Sequence, residues 1–101
     1  SEVTNILIDL TKRETLNQSS HLVNFLIKDI KSEMNLLKRA HRFAGFTVLK
    51  SLDIPSVLIE MGYLSNKEDS KLLVSNSYQK KITSNIVKAV KNYFDWIENN
   101  N

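Results

Sequence analysis

The sequence predicts a small α/β domain in which helices pack on two short strands. Apolar residues recur at intervals of three and four over most of the chain, which is the period of an amphipathic helix. Two short runs rich in β-branched and aromatic residues, at about 46–50 and 56–61, interrupt that period and predict strands. The chain has 101 residues, 42% of them hydrophobic and 25% charged, so one domain with a modest core is expected.

The N-terminal third is predicted to form two helices. An apolar stripe over residues 3–10 gives about two helical turns, which are marginally stable unless they dock on another element. Residues 11–14 have the spacing of a capping box, so a second helix is expected over residues 12–34. The sequence leaves open whether the first helix runs on through this box. Ser19 and Ser20 lie on the apolar stripe of the second helix and indicate a close approach to the sheet.

A basic connector joins these helices to the first strand. Its charge comes from Lys38, Arg39, His41 and Arg42. The simplest interpretation is a solvated loop, and the alternative is a contact with an anion. The net charge of +3 and the pI of about 9.2 suit polyanionic surroundings without selecting a partner. The chain has no cysteine, which excludes zinc sites built on thiolates.

The second predicted strand ends in a charged residue, which is unusual after an apolar run. Val57, Leu58 and Ile59 form a continuous apolar run that is typical of a strand buried on both faces, and Glu60 follows them directly. Ionised carboxylates are rarely buried unless they are paired or bound to metal. Ligands gather beyond the carboxyl ends of strands in open α/β sheets, so Glu60 is a candidate functional residue. The alternative is a structural carboxylate that pairs with a lysine or caps a turn.

The remainder of the chain is predicted to be helical. A short helix is expected at about 67–74, with Ser65 or Asn66 as its N-cap. A final helix is expected at about 77–98, and Trp96 is expected at the edge of its apolar face. The residues predicted to be buried on this face are Tyr78, Ile82, Ile86, Ala89, Val90, Tyr93, Phe94 and Ile97.

The segment 55–66, Pro-Ser-Val-Leu-Ile-Glu-Met-Gly-Tyr-Leu-Ser-Asn, resembles a signature near the C-terminus of zinc-dependent N-acetylmuramoyl-L-alanine amidases. Residues 46–55 resemble the strand and turn before that signature, and residues 72–94 resemble the spacing of the closing helices. Residues 6–10 and 13–19 are similar to a helical segment of the Gram-negative cell-separation type of these amidases. The resemblance implies that residues 1–101 are a single domain or the C-terminal half of a catalytic domain, a fragment of a larger mixed sheet. From the residues alone, the five-residue turn between the strands would suggest a hairpin, although it carries proline and no Asn-Gly.

The resemblance also implies which catalytic groups belong to this chain and which belong to the N-terminal half of the domain. These enzymes cut the amide between N-acetylmuramic acid and L-alanine in peptidoglycan, using a zinc held by two histidines and a glutamate of the N-terminal half. Glu60 matches a second glutamate that acts as general acid/base. His21 and His41 match none of the ligand motifs, so no metal ligand is expected in this chain and zinc is expected only in the complete enzyme. The chain alone is expected to be inactive.

The remaining expectations concern binding. Lys50 and Arg42, with Arg39 beside them, are candidate substrate-binding residues. The implied partners are peptidoglycan, the missing N-terminal half, an activator protein and a second copy that pairs through the open sheet, in the periplasm or cell envelope. Nucleic acid is not expected as a partner, because the basic residues are not interleaved with aromatic residues and the sequence has no recognised DNA-binding motif. No apolar run reaches the roughly 20 residues of a membrane span. The alternative function is a non-catalytic peptidoglycan-binding remnant.

Overall fold

A computed structural model describes residues 1–36, 45–60 and 67–100. Two long helices pack against each other, and a two-stranded sheet lies on the first of them, which confirms the predicted α/β class. None of the described helices is long and apolar enough to cross a membrane. In chain order the elements are α1 (Glu2–Leu36), β1 (Gly45–Val48), β2 (Val57–Glu60), α2 (Lys67–Leu73) and α3 (Asn76–Asn99).

The first helix, α1, is continuous over 35 residues, so the predicted division into helices at 3–10 and 12–34 is wrong. The Thr11 hydroxyl does not cap a helix, because it donates to the Leu7 carbonyl oxygen one turn earlier, at 2.9 Å. The cap lies at Ser1, whose Oγ accepts from the Thr4 backbone N–H at 3.2 Å. No glycine or proline interrupts the helix, and Lys, Arg and Glu across residues 12–14 favour its continuation.

The two strands form an antiparallel hairpin in which Gly45 lies opposite Glu60 and Val48 lies opposite Val57. One further hydrogen bond, from the Leu49 N–H to the carbonyl oxygen of residue 56 at 2.9 Å, continues the ladder. Within the described residues, β1 ends at Val48 instead of the predicted residue 50, and β2 begins at Val57 instead of residue 56. The proline lies in the wide turn outside the ladder, where its missing N–H costs no strand pairing, and a turn of this width needs no Asn-Gly pair.

Burial alternates along β2, so the prediction of a strand buried on both faces is wrong. Val57 and Ile59 are half-buried against the helices, whereas Leu58 is 46% exposed and Glu60 is exposed. A single helical layer covers one face of the hairpin within the described residues. An antiparallel sheet with one covered face gives this alternation.

The core lies between α1 and α3. Its buried apolar members are Leu26, Ile30, Tyr78, Ile82, Ala89 and Tyr93. Four of them confirm the predicted buried face of α3, but Phe94 is 57% exposed because it is turned about 100° from Tyr93 around the helix. Ser75 caps α3 by accepting from the Tyr78 N–H at 3.3 Å. The predicted caps of α2 at residues 65 and 66 lie outside the described residues.

Candidate functional site

Glu60 lies on the face of the hairpin that no described helix covers. This face, called the open face below, consists of the four exposed hairpin residues Gly45, Thr47, Leu58 and Glu60. Leu58 and Glu60 share it because side chains two residues apart on a strand point the same way. The carboxylate is therefore accessible to solvent and does not lie in a packed interior.

Gly45 leaves space beside the Glu60 side chain. The two residues are directly paired across the hairpin, and a Cβ added at Gly45 would lie 4.0 Å from the Glu60 Cβ. That separation is an ordinary van der Waals contact, so a methyl group would fit but a larger side chain would lie along the glutamate. The glycine thus keeps one side of the carboxylate open. Chemically, an exposed carboxylate at this position can accept a proton and return it.

A metal site is not assembled by the residues that the structure describes. Among them, no group of three or more His, Cys, Asp or Glu side chains could hold a metal ion. Zinc needs three or four convergent ligands, so the described residues do not form a zinc site by themselves. His21 instead contacts Trp96, with 4.6 Å between the ring centroids. His41 lies outside the described residues.

Lys50 does not lie near Glu60. It lies at the turn end of the hairpin, whereas Glu60 lies at the opposite end beside Gly45. Five residue steps along the strand direction separate Gly45 from Lys50, which is about 17 Å at ~3.3 Å per step. The structure therefore does not bring these two predicted site residues together. Arg42 and Arg39 lie outside the described residues.

Lys50 lines a groove of about 420 Å³ between α1 and the hairpin turn. This cavity is called the lysine groove below. Its lining residues are Lys12, Leu16, Lys50, Ser51 and Leu52. Two lysines from separate elements therefore face the same space. The sequence did not reveal the contribution of Lys12, because no local pattern links residues 38 positions apart.

Two buried hydroxyl groups hold the hairpin on α1. The Thr15 hydroxyl donates to the Leu52 carbonyl oxygen, and the Ser19 Oγ accepts from the Ser56 N–H, both at 2.9 Å. Thr15 is 6% exposed and Ser19 is fully buried. The predicted close approach at Ser19 is confirmed, but Ser20 is exposed, so its assignment to the contact is wrong. Sequence reasoning missed Thr15, although its position one turn before Ser19 places both on one face.

A second polar connection links α1 to α3. The buried Tyr93 hydroxyl donates to Gln18 Oε1, and Gln18 Nε2 donates to Glu14 Oε1, each at 2.9 Å. Burial of Tyr93, and secondarily the negative charge of Glu14, raise the pKa of the tyrosine above its ordinary value of 10.0. Tyr93 therefore remains a hydrogen-bond donor. Glu14 and Gln18 also line a groove of about 440 Å³ that includes Asp53, on another flank of the hairpin turn.

Comparison with known proteins identifies the family. Residues 4–92 match the family described as N-acetylmuramoyl-L-alanine amidase. The amidases AmiA of Salmonella typhimurium and of Escherichia coli K12 are each 36% identical over 94 residues, covering 93% of this chain and 32% of the relative. AmiC of Neisseria meningitidis is 33% identical over 89 residues, covering 88% of this chain and 21% of the relative. No solved structure matches the chain significantly.

The matched region includes the hairpin, Glu60 and most of both long helices. The chain spans about a third of the length of the two AmiA relatives. The extent of the match and the identity are sufficient to assign the family from sequence. This chain belongs to the N-acetylmuramoyl-L-alanine amidase family.

Proposed function

We propose that this chain is the C-terminal part of a peptidoglycan amidase domain and that Glu60 is its general acid/base. In the complete enzyme, the bond cleaved is the amide between N-acetylmuramic acid and L-alanine. One observation carries the proposal: Glu60 ends β2 on the open face, exposed, inside the segment that resembles the amidase signature. Family membership supports the substrate class.

The chemistry of amide hydrolysis explains the need for such a carboxylate. The attacking water must lose a proton, and the leaving amine must gain one. A single carboxylate can perform both transfers in turn, and a general acid/base of this kind contributes typically ~10²–10⁴-fold in rate. Glu60 is accessible for both steps because Gly45 gives it no side-chain neighbour across the hairpin.

We propose that the zinc of the complete enzyme is held by the N-terminal half of the domain, as the resemblance implies; the described residues of this chain provide no convergent ligand set. When bound, zinc supplies polarisation of the amide carbonyl and a lowered pKa of water. We therefore propose that the chain alone does not hydrolyse peptidoglycan. We further propose that the complete enzyme acts in cell separation and lies in the periplasm or cell envelope. We also propose that an activator protein controls it.

The open face is the surface that we propose for the missing half of the domain. Two strands form a marginal sheet in water, and an exposed leucine on the uncovered face favours further packing. Leu58 is 46% exposed on this face. Pairing of two copies through the same sheet is the competing way to cover it, and the molar mass in solution separates these alternatives.

Replacement of Glu60 by glutamine in the complete enzyme tests the catalytic proposal. Release of labelled stem peptides from purified sacculi should fall by roughly 10²–10⁴-fold, while sedimentation with sacculi is retained. Asp53→Asn is the matched control, since it removes one exposed carboxylate at the other end of the hairpin. Hydrolysis by Glu60→Gln within about threefold of the parent enzyme would overturn the assignment.

A non-catalytic peptidoglycan-binding module is the second candidate function. The lysine groove favours it, because it gives the chain a cationic surface that does not depend on a metal. Binding of the 101-residue chain to sacculi, with no hydrolysis in the complete protein on addition of zinc, would favour this alternative. Hydrolysis that depends on Glu60 would favour the amidase.

A further inference from the structure

The lysine groove is positioned by buried contacts between α1 and the hairpin turn. The hydrogen bond from Thr15 to the Leu52 carbonyl fixes residue 52 against the helix, next to Leu16. The adjacent bond from the Ser56 N–H to Ser19 fixes the far side of the turn. These two buried hydrogen bonds hold the hairpin turn, which carries Lys50, against α1, which carries Lys12. The two lysines therefore line one groove because of a specific packing contact.

The charges of the groove favour an anion. Lys12, Lys50 and Ser51 contribute two ammonium groups and one hydroxyl, and none of these groups has a hydrogen bond or ion pair within residues 1–36, 45–60 and 67–100. Both lysines line one groove and are exposed, so an anion bound there could pair with both ammonium groups. The neighbouring groove contains Glu14 and Asp53 and repels anions, so a negative ligand is directed to the lysine side.

The apolar lining restricts the kind of anion. Leu16 and Leu52 provide aliphatic surface beside the ammonium groups. A carboxylate attached to a small aliphatic residue satisfies both features, because the charge pairs with the lysines and the methyl groups contact the leucines. Inorganic phosphate would leave the apolar surface unused.

We propose that the lysine groove binds the terminal carboxylate of a short aliphatic peptide, as found on a peptidoglycan stem. The choice of a stem peptide rests on the proposed function, whereas the preference for an aliphatic carboxylate rests on the groove itself. The groove lies about 17 Å from Glu60, at the other end of the hairpin, as five strand steps of ~3.3 Å require. It is therefore a contact separate from the reacting bond, and it serves to hold the chain on its substrate.

The test is a titration of the 101-residue, ¹⁵N-labelled chain with N-acetyl-D-alanyl-D-alanine. Amide signals of Ser51 and Leu52 should shift with the free acid, and the C-terminally amidated dipeptide should bind about tenfold more weakly or worse. The double variant Lys12→Gln/Lys50→Gln should lose about tenfold in affinity. Lys28→Gln/Lys91→Gln makes the same change in net charge at exposed sites elsewhere and should remain within twofold.

Three outcomes would overturn the inference. These are equal binding of the amidated dipeptide, equal weakening by the Lys28/Lys91 control, and phosphate shifting the same signals at equal or higher affinity. Lys50→Glu provides a second variant, which should abolish binding while the circular dichroism spectrum stays unchanged. Glu60→Gln should bind the dipeptide normally, so failure of the groove and failure of the catalytic assignment give different results.

Discussion

The Ser56 backbone N–H donates to the Oγ of Ser19 at 2.9 Å, and this bond connects the start of β2 to the middle of α1. Ser19 is fully buried at the contact. A small side chain lets the strand approach the helix, and its buried hydroxyl accepts the hydrogen bond of a partly buried backbone N–H. Ser19 thus sets the distance between α1 and β2 and also provides the hydrogen-bond acceptor for the Ser56 backbone N–H.

Ser19→Ala should destabilise the chain by about 1–3 kcal/mol, because it leaves the Ser56 N–H without its partner. The free energy of unfolding in urea measures the loss. Ser20→Ala is the matched control, since the Ser20 hydroxyl is exposed and bonds only to Leu16 within the helix; it should change stability by less than about 0.5 kcal/mol. Equal losses for the two variants would contradict the role assigned to Ser19.

Tyr93 should make stability depend on alkaline pH. Burial, and then Glu14, raise its pKa in the folded state, so the folded chain favours the neutral hydroxyl. This contribution is complete below the unfolded pKa of about 10 and is lost as the pH rises through the higher folded value. Tyr93→Phe should therefore flatten the decline of unfolding free energy above pH 10.

The measurement for Tyr93 is urea unfolding at a series of pH values from neutral to strongly alkaline. Glu14→Gln should make the decline smaller, because it removes the negative charge that helps raise the pKa of Tyr93 in the folded state, while the unfolded pKa at which the decline begins is unchanged. An identical alkaline slope in the parent chain and Tyr93→Phe would show that other groups cause the decline.

The N-terminal and C-terminal halves of α1 should respond differently to the loss of a leucine side chain. Leu26 is 2% exposed in the core, and its replacement by alanine should cost about 2–5 kcal/mol. Leu7 is 58% exposed, so Leu7→Ala should cost less than about 0.5 kcal/mol in this chain. Thermal unfolding compares them directly. A large loss for Leu7→Ala would mean that the N-terminal turns are covered in solution, for example by a second copy.

Gly45 should tolerate a methyl group but not a large side chain when activity is measured. Its added Cβ would lie at ordinary contact distance from Glu60, so Gly45→Ala should leave hydrolysis by the complete enzyme within about threefold. Gly45→Phe places a ring beside the carboxylate and should reduce the rate by at least about tenfold. Both variants should be checked for unchanged unfolding temperature, and a fully active Gly45→Phe would show that the flank of Glu60 is not used.

Local sequence patterns were sufficient for the apolar face of α3 and for the position of Glu60 at the end of β2. The buried face of α3 follows from a period that ordinary helix geometry imposes, and its one clear error, Phe94, lies at the margin of that face. The continuous α1 shows where local reasoning failed. A Thr–Glu pair at capping-box spacing is also compatible with a helix interior, where the threonine hydroxyl bonds back to Leu7.

The sequence by itself determined the class of fold, the helical faces, the carboxylate at the end of β2 and, through the signature segment, the family. Only the tertiary structure decided that Leu58 and Glu60 lie on an uncovered face and that Lys50 joins Lys12 at the far end of the hairpin. The physical reason is the range of the interactions. Helical period and strand alternation act between near neighbours in the sequence. Burial and shared grooves depend instead on contacts between residues that are distant in the sequence, such as Thr15 and Leu52, and no local pattern predicts those contacts.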